Sequence, residues 1–510
     1  MNTSFQEILC EKPGHFPIGF EVVTSRGVPD STGGPMLSMA RELMSDSRID
    51  WISITDNPGG NPMLPPDWMT GLLAEQPSKI ALHLACKDYN RISLESQLWR
   101  YAAEGFNNIL ALSGDLPLGG YPTRSSSVFD IDSTALINMM ALMNKGLQVP
   151  GRGGKTETLA PANFFPGCVV SPFKKNENEL VPQYSKLLRK IRAGAAWVLP
   201  QLGYDMRKFN EVKTFLQLHG IELPVIGNVY LLTKTVAKLF HAGKLAGCVV
   251  SDSLMAEVEK YASGPDKGKA YFRDLAAKQL AVFKGLGFAA GYIGGVARTD
   301  SLFEIIELSR SYAEDDWKSF YREINFSQPN EFYFFDGDFS TEPVAALKTR
   351  RKTKNVNLFY RFSRMVHAMA FQRNQGLYSL MKWFFQGLEK KNPVCRFGYR
   401  CLHGFEKEIK HLLYGCSDCG DCALPDTAYL CPMNSCSKNM RNGPCGGSCG
   451  SRCEADDKDC VWGIAYDRLK YFSELSDFQD APVQSYDAAL KGTSSWANLY
   501  LDRDHSKPTE

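Results

Sequence analysis

From residue 17 to about 295, eight short runs rich in β-branched and apolar residues recur: PIGFEVVTS, DWISITD, KIALHLAC, NNILALSGD, GCVVSP, AAWVLPQLGY, PVIGNVY and AAGYIGG. Most are separated by longer amphipathic stretches such as SLESQLWRYAAEG and VPQYSKLLRKIRAG, whose apolar residues return at intervals of three and four. Eight buried-looking strands with helices between them predict an α/β fold, a (βα)8 barrel of the TIM type. A doubly wound open sheet is the rival arrangement.

In a barrel of this kind the loops after the strands build the active face, so polar residues at the C-terminal ends of the runs are candidates. They are Glu21, Thr55, His83, Asp115 and Gln201. Taken singly, each is as readily a strand-end cap or a satisfied core polar group. Five on one rim point to a site.

The rest of the chain changes character, and four segments are expected: a barrel over 1–325, a linker with amphipathic helices over 326–394, a cysteine-rich domain over 395–475 and an extension over 476–510. The basic run KTRRKTK at 348–354 reads as solvated linker. The aromatic-rich helical stretch after it is expected to bury its apolar stripe against the barrel. Beyond 475 the polar, unpatterned sequence predicts a surface-lying or frayed tail.

Composition narrows the function classes. A net charge of +2 over 510 residues gives no electrostatic reason to expect nucleic acid. No stretch approaches the ~20 apolar residues of a membrane-spanning helix, and the N-terminus lacks the pattern of a secretory signal. A cytoplasmic location is therefore expected, with no membrane insertion. In that reducing compartment clustered cysteines serve as metal ligands or redox groups rather than disulfides.

Eleven of the fifteen cysteines fall between Cys395 and Cys460. Cys416, Cys419 and Cys422 form CxxCxxC, and Cys431 follows directly before Pro432. Such a turn can aim three thiolates at one 4Fe-4S cluster, with the distant cysteine as fourth ligand. A second set, Cys436, Cys445, Cys449, Cys453 and Cys460, is threaded through NGPCGGSCGSRC, whose glycines let backbone pass close to a metal. It suits either a second cluster or a tetrahedral zinc.

HLAC at 83–86, ALSGDLP at 111–117 and RKIRAGAAWVLPQLGYD at 189–205 resemble the barrel of the 5,10-methylenetetrahydrofolate reductases. CGDC, CPMNSC, NGPCGG and CVWGIAYDRL resemble the iron-sulfur partner of acetogen-type members of that family. The resemblance implies FAD, a tetrahydrofolate-type substrate and interconversion of 5,10-methylenetetrahydrofolate with 5-methyltetrahydrofolate. It implies that Glu21 is the general acid, that Asp115 lies beside flavin and pterin, and that Gln201 and Phe240 contact the pterin side. Thr55, His83, Ser113, Gly114 and Asp115 match positions lining the flavin, and Arg189 and Lys190 match a basic pair near its pyrophosphate. Two departures stand out: Ser113 replaces an arginine, and GYIGG replaces an aromatic strand ending in Leu-Asn. Cys395, Cys401 and Cys449 fit the iron-sulfur pattern poorly, which leaves eight cysteines for two four-thiolate sites.

Electrons are then expected from a redox protein such as a ferredoxin, with direct use of NAD(P)H left open, and a homo-oligomer is expected. The alternatives are the same reaction run oxidatively in one-carbon catabolism, or a methylfolate-binding, methyl-transferring module with structural zinc.

Overall fold

The computed structural model describes residues 3–11, 14–29, 34–117, 119–123, 125–350, 353–373, 375–389 and 393–507. Arg351 and Lys352 of the basic run lie outside them. Eight parallel strands form where the eight runs stand: β1 Ile18–Val22, β2 Trp51–Ile54, β3 Ile80–Ala85, β4 Asn108–Leu112, β5 Phe165–Val170, β6 Trp197–Pro200, β7 Ile226–Tyr230 and β8 Ala290–Gly294. They pair in sequence from β1 to β6, β8 joins β1 to β7, and a parallel bridge between Val198 and Val225 closes β6 onto β7. The sheet is a nearly closed TIM-type barrel, which rules out the open-sheet rival.

Side chains alternate between faces along each strand. That alternation fills the bottom of the barrel with Trp51, Phe165, Trp197, Ile226 and Ala290. The short helix Phe5–Cys10, started by a Ser4–Glu7 capping box, plugs this end. Its Phe5 ring sits 4.6 Å from Trp51 and 5.2 Å from Trp197. The apolar floor leaves room for a site only at the opposite end.

Glycines make that floor possible. Gly19 is in register with Trp51, and Gly167 with Trp197, so each indole lies over a neighbour that has no side chain. A Cβ on Gly19 would stand 2.0 Å from the Trp51 ring. Gly19→Ala is therefore expected to cost about 1–3 kcal/mol of stability by overpacking, read as a lowered midpoint of thermal or denaturant unfolding.

The C-terminal third folds back over the open end. Helix Val461–Phe472 lies against helix Glu177–Arg192, which follows β5, and Glu177 accepts from Tyr466 and pairs with Lys470. Residues 179–190 of the barrel helix are all buried as a result. Asp132, at the start of helix Ser133–Lys145, accepts from Lys186 at 3.2 Å and from the Asn442 side chain at 3.0 Å.

Two expectations are corrected here. The helices Leu358–Ala370 and Gly376–Leu388 leave most of their apolar stripes exposed instead of burying them on the barrel, and the helix Pro393–Tyr414 that follows is exposed in the same way. Their buried residues, such as Tyr360, Tyr378, Phe385 and Glu406, lie among C-terminal segments, so the outer stripes meet no barrel surface. The segment after 475 is seated, not frayed: Phe478, Gln484, Asn498, Tyr500 and Asp504 are buried. Its polar residues looked like tail because they satisfy one another and the cysteine loops, a pattern without periodicity.

Candidate active site and cysteine centres

A cavity of about 450 Å³ occupies the open end of the barrel. Glu21, Thr55, His83, Ser113, Gly114, Asp115, Lys190, Gln201 and Phe240 all line it. The alternation that sends Trp51 to the floor sends residues of the same parity nearer the strand ends into the cavity. Parity also places Asn228 and Tyr292 there, two residues that the sequence reading missed although both stand inside quoted runs.

Glu21 ends β1 with its Oε2 accepting a 3.2 Å hydrogen bond from the Tyr292 hydroxyl, which also meets Ser53 Oγ at 2.5 Å. Burial pushes the Glu21 carboxyl above its ordinary range, and the Tyr292 bond opposes this in part. Burial also lowers His83 to about 4, leaving a neutral imidazole at physiological pH. Asp56, another missed residue, is pushed up to about 6 by burial while accepting from the Ala85 N–H.

Asp115 accepts from the Gly59 N–H at 3.1 Å. Gly114 beside it has φ +89°, and a Cβ there would come within 2.8 Å of the Lys87 side chain, so only glycine suits this bend. Gln201 turns its Oε1 to the Leu202 N–H, and Phe240 meets Tyr230 at 5.6 Å.

The basic pair is split, which corrects the sequence expectation. Lys190 lines the cavity, donates to the Val169 carbonyl at 2.7 Å, and is held down to about 8 by burial and by nearby Lys186. Arg189 faces away: its Nη2 donates to the Phe478 carbonyl at 2.5 Å and its guanidinium lies over the Phe478 ring. Consecutive helical residues diverge by about 100°, so only one of the two can reach the cavity. Lys186 takes the second cationic position at the wall.

The cysteine-rich loops supply the cavity's lid. Lys438 donates to the Gly114 carbonyl at 2.8 Å and pairs with Glu454 at 2.6 Å, and both line the cavity together with Cys445, Gly446 and Gly447. No sequence signal tied these residues to the barrel, because the connection spans more than three hundred positions.

Cys416, Cys419, Cys422 and Cys431 line one separate small cavity. Cys416 Sγ accepts from the Asp418 N–H and Cys419 Sγ from Arg441. Arg441 also binds Asp421, whose other oxygen meets His505; burial alone would lower the His505 pKa, but Asp421 and Asp426 hold it up at about 10. Cys436, Cys445, Cys453 and Cys460 form the second group: burial raises Cys436, Cys445 and Cys460, with a smaller push from neighbouring thiols of the set, and Cys445 Sγ accepts from the Gly447 N–H. Cys449 and Cys401 are exposed, and Cys395 stands on the helix Pro393–Tyr414.

A profile described as methylenetetrahydrofolate reductase matches residues 10–287, more than half of the chain. The chain belongs to the methylenetetrahydrofolate reductase family. A second profile, described as methylene-tetrahydrofolate reductase C terminal, matches residues 399–488. Methylenetetrahydrofolate reductase 2 of Schizosaccharomyces pombe is 24% identical over 200 residues, 38% of this chain and 29% of that protein's length. Among solved structures, an uncharacterized protein from Clostridium thermocellum that binds two copies of 5-methyl-5,6,7,8-tetrahydrofolic acid is 12% identical with a TM-score of 0.39, covering 60% of this chain and 96% of that one. A 2,3-dimethylmalate lyase reaches a TM-score of 0.32 at 12% identity, over 62% and 88% of the two chains.

Proposed function

We propose that this member of the family interconverts 5,10-methylenetetrahydrofolate and 5-methyltetrahydrofolate with FAD, and that its cysteine groups hold iron-sulfur clusters that carry electrons from a redox protein. The observation that carries the reading is Glu21: a carboxyl with a raised pKa, oriented by Tyr292, in a cavity that also holds Asp115, Gln201, Lys190 and Cys445.

The cavity suits a large polar cofactor. Ser171 Oγ and Gln183 Nε2 are buried at its wall without hydrogen-bond partners among the described residues, and Lys190 offers a cationic group for a phosphate. When bound, FAD supplies hydride transfer. Glu21 holds the proton that opening of the substrate's five-membered ring requires. Asp115, fixed by the Gly59 N–H, places a carboxylate where a cationic iminium would gain from it. Gln201 presents an amide able to donate and accept toward a pterin edge.

The CxxCxxC turn supports a cluster in the first group, since Cys416, Cys419, Cys422 and the more distant Cys431 all line one cavity.

Anaerobic purification with flavin, iron, sulfide and zinc analysis tests the proposal. Flavin with about eight irons and eight sulfides per chain is expected. Flavin with zinc and no iron overturns the relay, and zinc without flavin overturns the reductase reading in favour of a methylfolate-binding module.

A further inference from the structure

The three helices Leu358–Ala370, Gly376–Leu388 and Pro393–Tyr414 carry thirteen of the twenty-four large apolar side chains that are exposed among the described residues. The side chains form stripes. Leu358, Phe362, Met365 and Met369 follow one another at four, three and four, which keeps them on one face of the first helix. Leu377, Leu380 and Phe384 do the same on the second, with Trp383, 71% exposed, beside them. Val394, Phe397, Phe405 and Leu412 share a face of the third.

These helices are already seated by other sides. Tyr378 and Phe385 are buried against Tyr500, and Glu406 and Lys410 are buried beside the first cysteine group. The exposed stripes are therefore surplus to the fold, and a surface this apolar marks a contact with something else.

Charge indicates what. Positions 348–414 hold fifteen Lys and Arg against three Asp and Glu, a net +12 in a chain whose total is +2; Lys354, Arg364, Arg373, Lys382 and Lys407 pair with Asp459, Glu474, Asp502 and Asp418 from outside this stretch, and the other cations leave it positive. Arg361, Arg396, Arg400 and Lys407 are exposed on the same helices as the stripes. A second copy docked face to face would oppose two strongly positive surfaces. Helices with Leu, Phe and Trp on one face and Lys and Arg on its flanks lie in the headgroup region of a bilayer, held by apolar burial and by attraction to anionic lipid.

We propose that this three-helix face docks the protein on the surface of an anionic lipid bilayer. Attachment is peripheral, since no helix among the described residues is long and apolar enough to cross a membrane. Docking brings the first cysteine group toward the bilayer, because Lys407, Lys410 and Tyr414 of the third helix line its cavity. The inference stands apart from the redox reading and survives its failure.

The test is flotation of the anaerobically purified full chain with phosphatidylcholine vesicles, with and without about 30% phosphatidylglycerol. The expected result is binding to the anionic vesicles, about tenfold weaker without anionic lipid and weakened by added salt. The double variants Trp383→Glu/Phe397→Glu and Arg396→Glu/Arg400→Glu should each lose about tenfold or more, with circular dichroism and cofactor content unchanged. Wild-type protein that ignores anionic vesicles, or variants that bind as well as wild type, overturn the proposal. A dimer, or a complex with an acidic protein, that forms in place of vesicle binding and is lost in the Trp383→Glu/Phe397→Glu variant also overturns it, and assigns the face to protein contact.

Discussion

Glu21→Gln is expected to lower methylenetetrahydrofolate reduction by about 10²- to 10⁴-fold, the span of a positioned general acid, while flavin content and reduction of an artificial acceptor stay near wild type. The amide retains the size and the Tyr292 contact of the carboxyl but has no proton to give. Burial raises the Glu21 carboxyl, so the protonated form persists above the ordinary carboxylate range. Reductive turnover should accordingly fall as pH rises through that raised value. Parallel single-turnover measurements with folate and with the artificial acceptor check this, and equal loss of both would remove Glu21 from the acid role. Tyr292→Phe should shift the pH profile upward with a smaller loss, because the hydrogen bond it deletes favours the ionised carboxylate.

Asp132→Ala should produce the largest loss of stability, about 3–5 kcal/mol from stranding a buried cation, with ~1 kcal/mol more from the lost helix cap. Lys186 and Asp132 are each 2% exposed at their side chains, and Asp132 also accepts from the Thr134, Ala135 and Asn442 N–H groups. The carboxylate thus joins barrel helix to cysteine loop. Denaturant unfolding followed by barrel tryptophan fluorescence, with limited proteolysis of the cysteine loops, measures it. Asp132→Ala/Lys186→Met should recover part of the loss, since no buried charge then remains. Burial alone would raise the Asp132 pKa, but Lys186 and the N–H donors bring it below its ordinary value. Its stabilisation is therefore complete above the ordinary aspartate pKa and is lost as pH falls through the depressed value.

The barrel was legible because its signals are local. Each apolar run needs only its own neighbours to declare a strand, and strand-end position together with alternation points Glu21, Thr55, His83 and Gln201 inward. Asn228 and Tyr292 obeyed the same parity and could have been found by it. The Arg189 and Lys190 pair was misread because adjacency in sequence is divergence on a helix. The apolar stripes at 358–388 were legible as helices and the helix Pro393–Tyr414 was not, and periodicity alone does not say what covers a face.

By itself the sequence determined eight strands in order, the cysteine spacings and the residue types at each strand end, all properties of a few consecutive positions. Only the tertiary structure decided that Lys438, Cys445 and Glu454 close the barrel cavity, that Lys186 replaces Arg189 at its wall, and that the eight cysteines divide into one group beside that cavity and one beside the exposed helices. Those contacts join residues hundreds of positions apart. They are chosen by which buried charges and N–H groups can satisfy one another once the C-terminal third settles on the rim, and no local pattern encodes that choice.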